Sequence, residues 1–116
     1  MKVTRLYTGS DGESHFEDLD IPLIDAGDVG SLSTSFPVKG IVFRENGPNY
    51  FHDWHNSHQR QYVVILDSEI EIEVGDGTKR RFRGGDVLLV EDTIGRGHRS
   101  RSIDGRPRRS LLIPLE

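Results

Sequence analysis

The sequence predicts an all-β fold, a sandwich or barrel of short strands, on three observations. Short runs rich in Val, Ile, Leu and Phe recur between turn signals every several residues. No window of a dozen residues carries apolar side chains at i, i+3, i+4 and i+7, so a helix is not expected. The chain is also punctuated throughout by 13 glycines and 5 prolines.

Taken in order, Val3–Thr8 reads as the first strand. The stretch Gly9–Ser35 is acidic and rich in Gly, Ser and Asp, with a short apolar piece at Leu19–Leu23. It is expected to form an arm packed over the barrel, residues 1–36 being the N-terminal arm of one 116-residue domain. Lys39–Glu45 and Gln61–Leu66 are the next strands. The clearest element is Glu69–Val74, where strict alternation puts three carboxylates on one face and Ile70, Ile72 and Val74 on the other. The carboxylates are read as a solvent face without chemistry. Gly75-Asp76-Gly77 then tolerates the positive φ of a hairpin turn into Lys79–Phe82. Asp86–Glu91, His98–Ser102 and Arg109–Pro114 complete the set.

Composition excludes several classes. With no cysteine there is neither a disulfide nor a thiolate ligand, which leaves imidazole, carboxylate, amide and hydroxyl donors. No apolar run reaches the roughly 20 residues of a membrane helix, and no signal sequence opens the chain. A soluble, cytoplasmic protein without membrane partners is therefore expected. The net charge of −4 does not suggest nucleic acid. Six arginines (Arg96, Arg99, Arg101, Arg106, Arg108 and Arg109) nevertheless crowd the last fifth of the chain. They read either as a solvated strand and turn or as a patch that steers an anionic ligand.

Two His-bearing segments stand out. The first runs His52-Asp53-Trp54-His55-Asn56-Ser57-His58-Gln59-Arg60-Gln61 into Tyr62–Leu66; the second ends in Gly95-Arg96-Gly97-His98. If the first segment is one unbulged strand, residues 55, 57, 59, 61, 63 and 65 share a face. Gln61, Val63 and Ile65 then join His55 inside, while Trp54, Tyr62 and Val64 point outward to packing or a dimer interface. His58 has the wrong parity and reads as a surface residue unless a bulge near Asn56-Ser57 turns it inward. His15 and His52 carry no second indicator.

The two segments resemble degenerate versions of the two cupin motifs. In G-x5-H-x-H-x3,4-E-x6-G, His55 fits the first His, Ser57 occupies the second His position, Gln61 the Glu position and Ser68 the final Gly. In G-x5-P-x-G-x2-H-x3-N, Gly85 opens the motif and Gly95 to His98 supply G-x2-H; Thr93 stands at the Pro position after two extra residues, and Ser102 at the Asn position. The resemblance covers residues 40–103 or so. It implies an antiparallel jelly-roll barrel with a cavity near His55, Gln61 and His98. A usual cupin offers three His and one Glu to a metal; here two of those His remain, with Gln in place of Glu.

His55 and His98 are the candidate catalytic pair, since imidazole suits proton transfer and metal binding near neutrality. His55, Gln61 and His98 are the candidate ligands of a weakly held divalent metal (Fe, Mn, Ni, Cu or Zn), with Gln61 giving a neutral amide oxygen. Gln61 is equally a candidate for hydrogen-bonding substrate. Arg44 is a candidate for binding a substrate carboxylate, or else forms a surface ion pair with Glu45 or Asp53. Asp53 is placed to orient an imidazole. Asp92 reads as the cap of an Asx-type turn, or as a carboxylate at the cavity mouth. The resemblance implies a metal-dependent small-molecule enzyme (dioxygenase, isomerase, epimerase or lyase) or, alternatively, a metal-free module that binds a sugar or carboxylate. Exposed sheet edges and the habit of such folds predict a homodimer.

Overall fold

Twelve strands carry the chain in the computed structural model, which describes residues Met1–Glu116. They are β1 (Lys2–Thr8), β2 (Ser14–Asp20), β3 (Ile24–Asp25), β4 (Ser31–Leu32), β5 (Val42–Asn46), β6 (Phe51–His55), β7 (Gln61–Ile65), β8 (Glu69–Glu73), β9 (Lys79–Arg83), β10 (Val87–Glu91), β11 (His98–Ser102) and β12 (Arg108–Pro114). One 3₁₀ turn, Gly27–Val29, is the sole helical piece. The all-β expectation holds, and no helix is long and apolar enough to cross a membrane.

The strands form a six-stranded sheet in the order β2-β1-β10-β7-β12-β5, a four-stranded sheet in the order β6-β11-β8-β9, and the short β3-β4 ladder. The two large sheets face each other, and their ladders do not join into a closed barrel. Pairing is antiparallel except between β1 and β10, which run parallel. Residues of both sheets make one core: Leu6, Ile65, Leu88 and Val90 from the first, with Ile70, Ile72 and Phe82 from the second. Each such side chain contributes about 2 kcal/mol by leaving water. The alternation in β8 does what the pattern requires, burying Ile70 and Ile72 inward.

Four strands escape the sequence reading, the two-residue β3 and β4 and two longer ones. β2 lies inside the acidic stretch assigned to an arm, and pairs with β1 along its whole length, from Lys2 opposite Asp20 to Thr8 opposite Ser14. Its residues Glu17, Asp18 and Asp20 hide the strand in a polar composition, because only Ser14, His15, Phe16 and Leu19 are shielded. β6 is the other, and it carries His52 and His55. From Ile21 to Phe43 the chain is exposed almost without interruption, and this stretch is the arm proper.

Candidate functional site

A cavity of about 600 Å³ opens between the two large sheets. The inner face of the six-stranded sheet supplies Arg44 from β5, Gln61, Val63 and Ile65 from β7, Leu88 and Val90 from β10, and Arg108 and Leu112 from β12. Register explains why these share a face: Ile65 lies opposite Ser110 and Val63 opposite Leu112, while Ser110 lies opposite Arg44. Facing them from the other sheet are His52 and His55 of β6, Ile70 and Ile72 of β8, and His98 and Ser100 of β11. The four residues singled out from the sequence, His55, His98, Gln61 and Arg44, all line this one cavity.

The route by which His55 and Gln61 meet differs from the expected one. They do not share a strand. The chain leaves β6 after His55, turns through Asn56–Arg60 and enters β7 in the opposite sheet at Gln61. Gln61, Val63 and Ile65 do face inward, and Trp54, Tyr62 and Val64 stay outside the cavity as parity requires. His58 lies in the turn, exposed yet on the cavity rim, without any bulge at Asn56-Ser57.

The bulge falls earlier and recruits a histidine that sequence reasoning left out. His98 pairs with His55 but Ser100 pairs with His52, so Asp53 and Trp54 together oppose Arg99. That extra residue puts positions 52 and 55 on one face despite their odd spacing. The His52 and His55 rings stack at 3.5 Å between centroids and 5° between planes. His55 in turn sits 4.4 Å from the His98 ring. Gly97 permits the approach, because a Cβ there would lie 2.0 Å from the His55 carbonyl oxygen.

Hydrogen bonds fix two of these imidazoles. His98 Nδ1 donates to Asp92 Oδ2 at 2.5 Å, and Ser14 Oγ donates to the same oxygen at 2.8 Å. Asp92 has no solvent exposure and His98 very little. Asp92 is therefore neither an Asx cap nor a carboxylate at the mouth: it is the buried partner of His98. His55 Nδ1 donates to the Asp53 backbone oxygen at 2.7 Å. Asp53 thus orients His55 through its carbonyl rather than its carboxylate, which turns toward Arg99. A carbonyl or carboxylate oxygen only accepts, so both rings carry a proton on Nδ1 and, when neutral, offer Nε2 as an acceptor. Burial, with His98 and His52 nearby, holds His55 below the ordinary imidazole value against the opposing pull of Asp53.

Asn56 ties the two His segments together, its Nδ2 donating to the carbonyls of Ile94 at 2.8 Å and Gly95 at 3.1 Å. At the other end of the cavity, Arg44 Nε donates to Ser110 Oγ at 3.1 Å and Arg108 Nη2 to Asn46 Oδ1 at 2.8 Å. The surface ion pair open to Arg44 in the sequence does not form. Burial lowers the pKa of both arginines, Arg108 to about 10 with Arg44's like charge adding to the effect. Both stay cationic at neutral pH.

No family model matches the chain, and no curated protein does either. Solved structures do. A protein from Neisseria meningitidis is 20% identical with a TM-score of 0.50, covering 66% of this chain and 72% of its own. A conserved protein of unknown function from Streptococcus pyogenes is 19% identical with a TM-score of 0.50, covering 73% of this chain and 69% of its own. A putative ethanolamine utilization protein Q from Salmonella typhimurium is 12% identical with a TM-score of 0.51, covering 99% of this chain and 95% of its own. These likenesses are of fold alone.

Proposed function

We propose that the protein is a small-molecule enzyme of cupin type, in which His98 and His55 exchange a proton with a ligand held in the cavity. The observation that carries this reading is the Ser14–Asp92–His98 chain. A fully buried carboxylate costs several kcal/mol of desolvation, and an apolar replacement in a core is often the more stable choice. What the carboxylate achieves here is positional: it fixes the His98 tautomer and stabilises the ring when Nε2 takes a proton. Gln61, reaching in from the opposite sheet, positions ligand through its donor and its acceptor.

The same donors fit a weakly held divalent cation, which is the second reading. Imidazoles whose Nδ1 is tied to an acceptor are the usual form of His ligands, and His55, His98 and Gln61 would hold the ion. Such an ion (Fe, Mn, Ni, Cu or Zn) supplies Lewis-acid polarisation of a carbonyl or of bound water. No three His, Cys, Asp or Glu side chains converge to hold a metal. The affinity then rests on two imidazoles and a neutral amide.

Solvent-deuterium incorporation, followed by NMR on a panel of small carbonyl and hydroxy compounds, tests the proposal with chelator-treated protein. Exchange in the wild type that falls about a hundredfold in His98→Gln is the expected result. Exchange that appears only after a metal is added back, and is lost in His55→Ala, gives the metal reading. Ligands that shift the His98 resonance without any exchange leave a binding module and overturn the enzyme.

We infer further that the chain pairs with a second copy through the arm and the edge strand β5, where Ile24, Val29, Ile41, Val42 and Phe43 are all exposed. Sedimentation should give a dimer, weakened in Phe43→Asp; a monomeric wild type ends the idea.

A further inference from the structure

Of the six arginines crowded near the C-terminus, five have a carboxylate within 4 Å. Arg96 meets Glu13, Arg99 meets Glu73, Arg101 meets Glu71, Arg106 meets Asp104 and Arg109 meets Asp67. Arg108 has none. It is also the buried one, 5% exposed, and its Nε has no hydrogen-bond partner. A second, half-buried guanidinium, Arg44, stands beside it with only the Ser110 hydroxyl as an acceptor. Neither Asp nor Glu is among the residues lining the cavity. In a chain of net charge −4, two mutually repelling cations thus share a pocket from which every carboxylate is excluded.

Buried charges are normally paired, and an unpaired one is a large penalty for the fold to carry. No carboxylate of the chain fills the pairing role for Arg108 or Arg44. Planar forked donors match the two oxygens of a carboxylate. The adjoining wall of Ile65, Ile70 and Leu112 suits the carbon skeleton behind such a group. No helix N-terminus lines the cavity to add backbone donors for a phosphate.

The lining is continuous from this anchor to the imidazoles. The Arg108 guanidinium lies 5.0 Å from the centre of the Tyr50 ring, and the Tyr50 hydroxyl is 3.3 Å from His52 Nδ1. His52 stacks on His55, which adjoins His98. On β7, Ile65 marks the arginine end and Gln61 the other, about 13 Å away at the rise of a strand.

We propose that the cavity's ligand is a small organic carboxylate, gripped by Arg108 and Arg44 at one end, with its remaining atoms reaching along Tyr50 and His52 toward His55 and His98. The proposal rests on the reading that the cavity binds a small molecule, and it adds the class of that molecule.

The test is a titration of wild-type protein with acetate, lactate and succinate, each beside its neutral amide, at constant ionic strength. The His55 and His98 side-chain resonances and the Arg Nε–H resonances report binding. The expected result is that at least one carboxylate binds tenfold or more tightly than its amide. That preference disappears in Arg44→Gln and in Arg108→Gln, with folding checked by the unchanged amide dispersion of each variant. Should one variant fail to fold, the other decides. Equal binding of acid and amide overturns the carboxylate anchor while leaving a small-molecule cavity in place. Inorganic phosphate that binds more tightly than every carboxylate overturns the ligand class. If no probe of either kind moves the histidine resonances, the cavity reading itself fails along with the proposal.

Discussion

The outer face of the four-stranded sheet and the inner face of the six-stranded sheet are both rich in arginine, and they treat it in opposite ways. Outside, cross-strand register delivers a carboxylate to each guanidinium: Glu71 sits between Arg81 and Arg101, and Glu73 between Lys79 and Arg99. The resulting contacts are 2.9 Å from Arg101 to Glu71 and 3.0 Å from Arg99 to Glu73. Inside, Arg44 and Arg108 meet only neutral acceptors, a hydroxyl and an amide oxygen. Partly exposed ion pairs contribute about 0–1 kcal/mol each, so the outer ladder does little more than keep the sheet soluble and in register. Inner charge without a counterion lowers stability, and a fold keeps it where a ligand supplies the missing partner. The glutamates of β8 do face outward as their alternation predicts, but Glu71 is 6% exposed under its two arginines rather than openly solvated.

The sharpest way to break the contrast is to remove a carboxylate that the interior does possess. Asp92→Ala leaves both His98 Nδ1 and Ser14 Oγ buried without their acceptor. A loss of about 3 kcal/mol is expected in denaturant unfolding, since orphaned buried donors and a new void act together. A loss under 1 kcal/mol would show that the chain is not tightly held. The converse change sharpens the contrast. Arg108→Met removes an uncompensated charge while keeping a flexible stem of similar reach. Ligand-free protein should therefore gain about 1–2 kcal/mol in the same measurement, as apolar replacements of buried charges often do. A comparable loss would make Arg108 a structural residue held by Asn46 and Tyr50.

Much of this site is legible in the sequence, for reasons that differ from residue to residue. His98 stands out because Gly95 and Gly97 frame it, and Gly97 does admit the close approach of β6. Gln61 reaches the cavity by another route than a parity count along one strand, because it and His55 belong to different sheets, and the sequence leaves Arg44 open between the cavity and a surface ion pair. His52 was hidden by a bulge at Asp53-Trp54, and no residue in that pair advertises one. Asp92 was hidden because its partner Ser14 is 78 residues away in a strand, β2, whose acidic composition conceals it. Arg108 was lost in a crowd. Five neighbours of the same type are solvated or paired as the bland reading has it, and only the three-dimensional register shows that the sixth points inward.

The smallest expected effect concerns acid and the outer face. The Arg99 guanidinium holds the Glu73 carboxyl below its ordinary value, so the native state binds this proton more weakly than the unfolded chain does. The stabilisation is therefore fully present above the unfolded carboxylate value, near 4.3 or so, and is lost as pH falls through the depressed native value. Arg44 and Arg108 pass through the same window without titrating. A melting-temperature profile between about pH 6 and 3 should accordingly flatten slightly in Glu73→Gln, and raising the salt concentration should mimic the mutation, because exposed pairs are screened. The acid dependence should be unaltered in Arg108→Met. If the Arg108 variant flattens the profile and the Glu73 variant does not, a carboxylate answers the inner arginine after all, and the distinction between the two faces collapses.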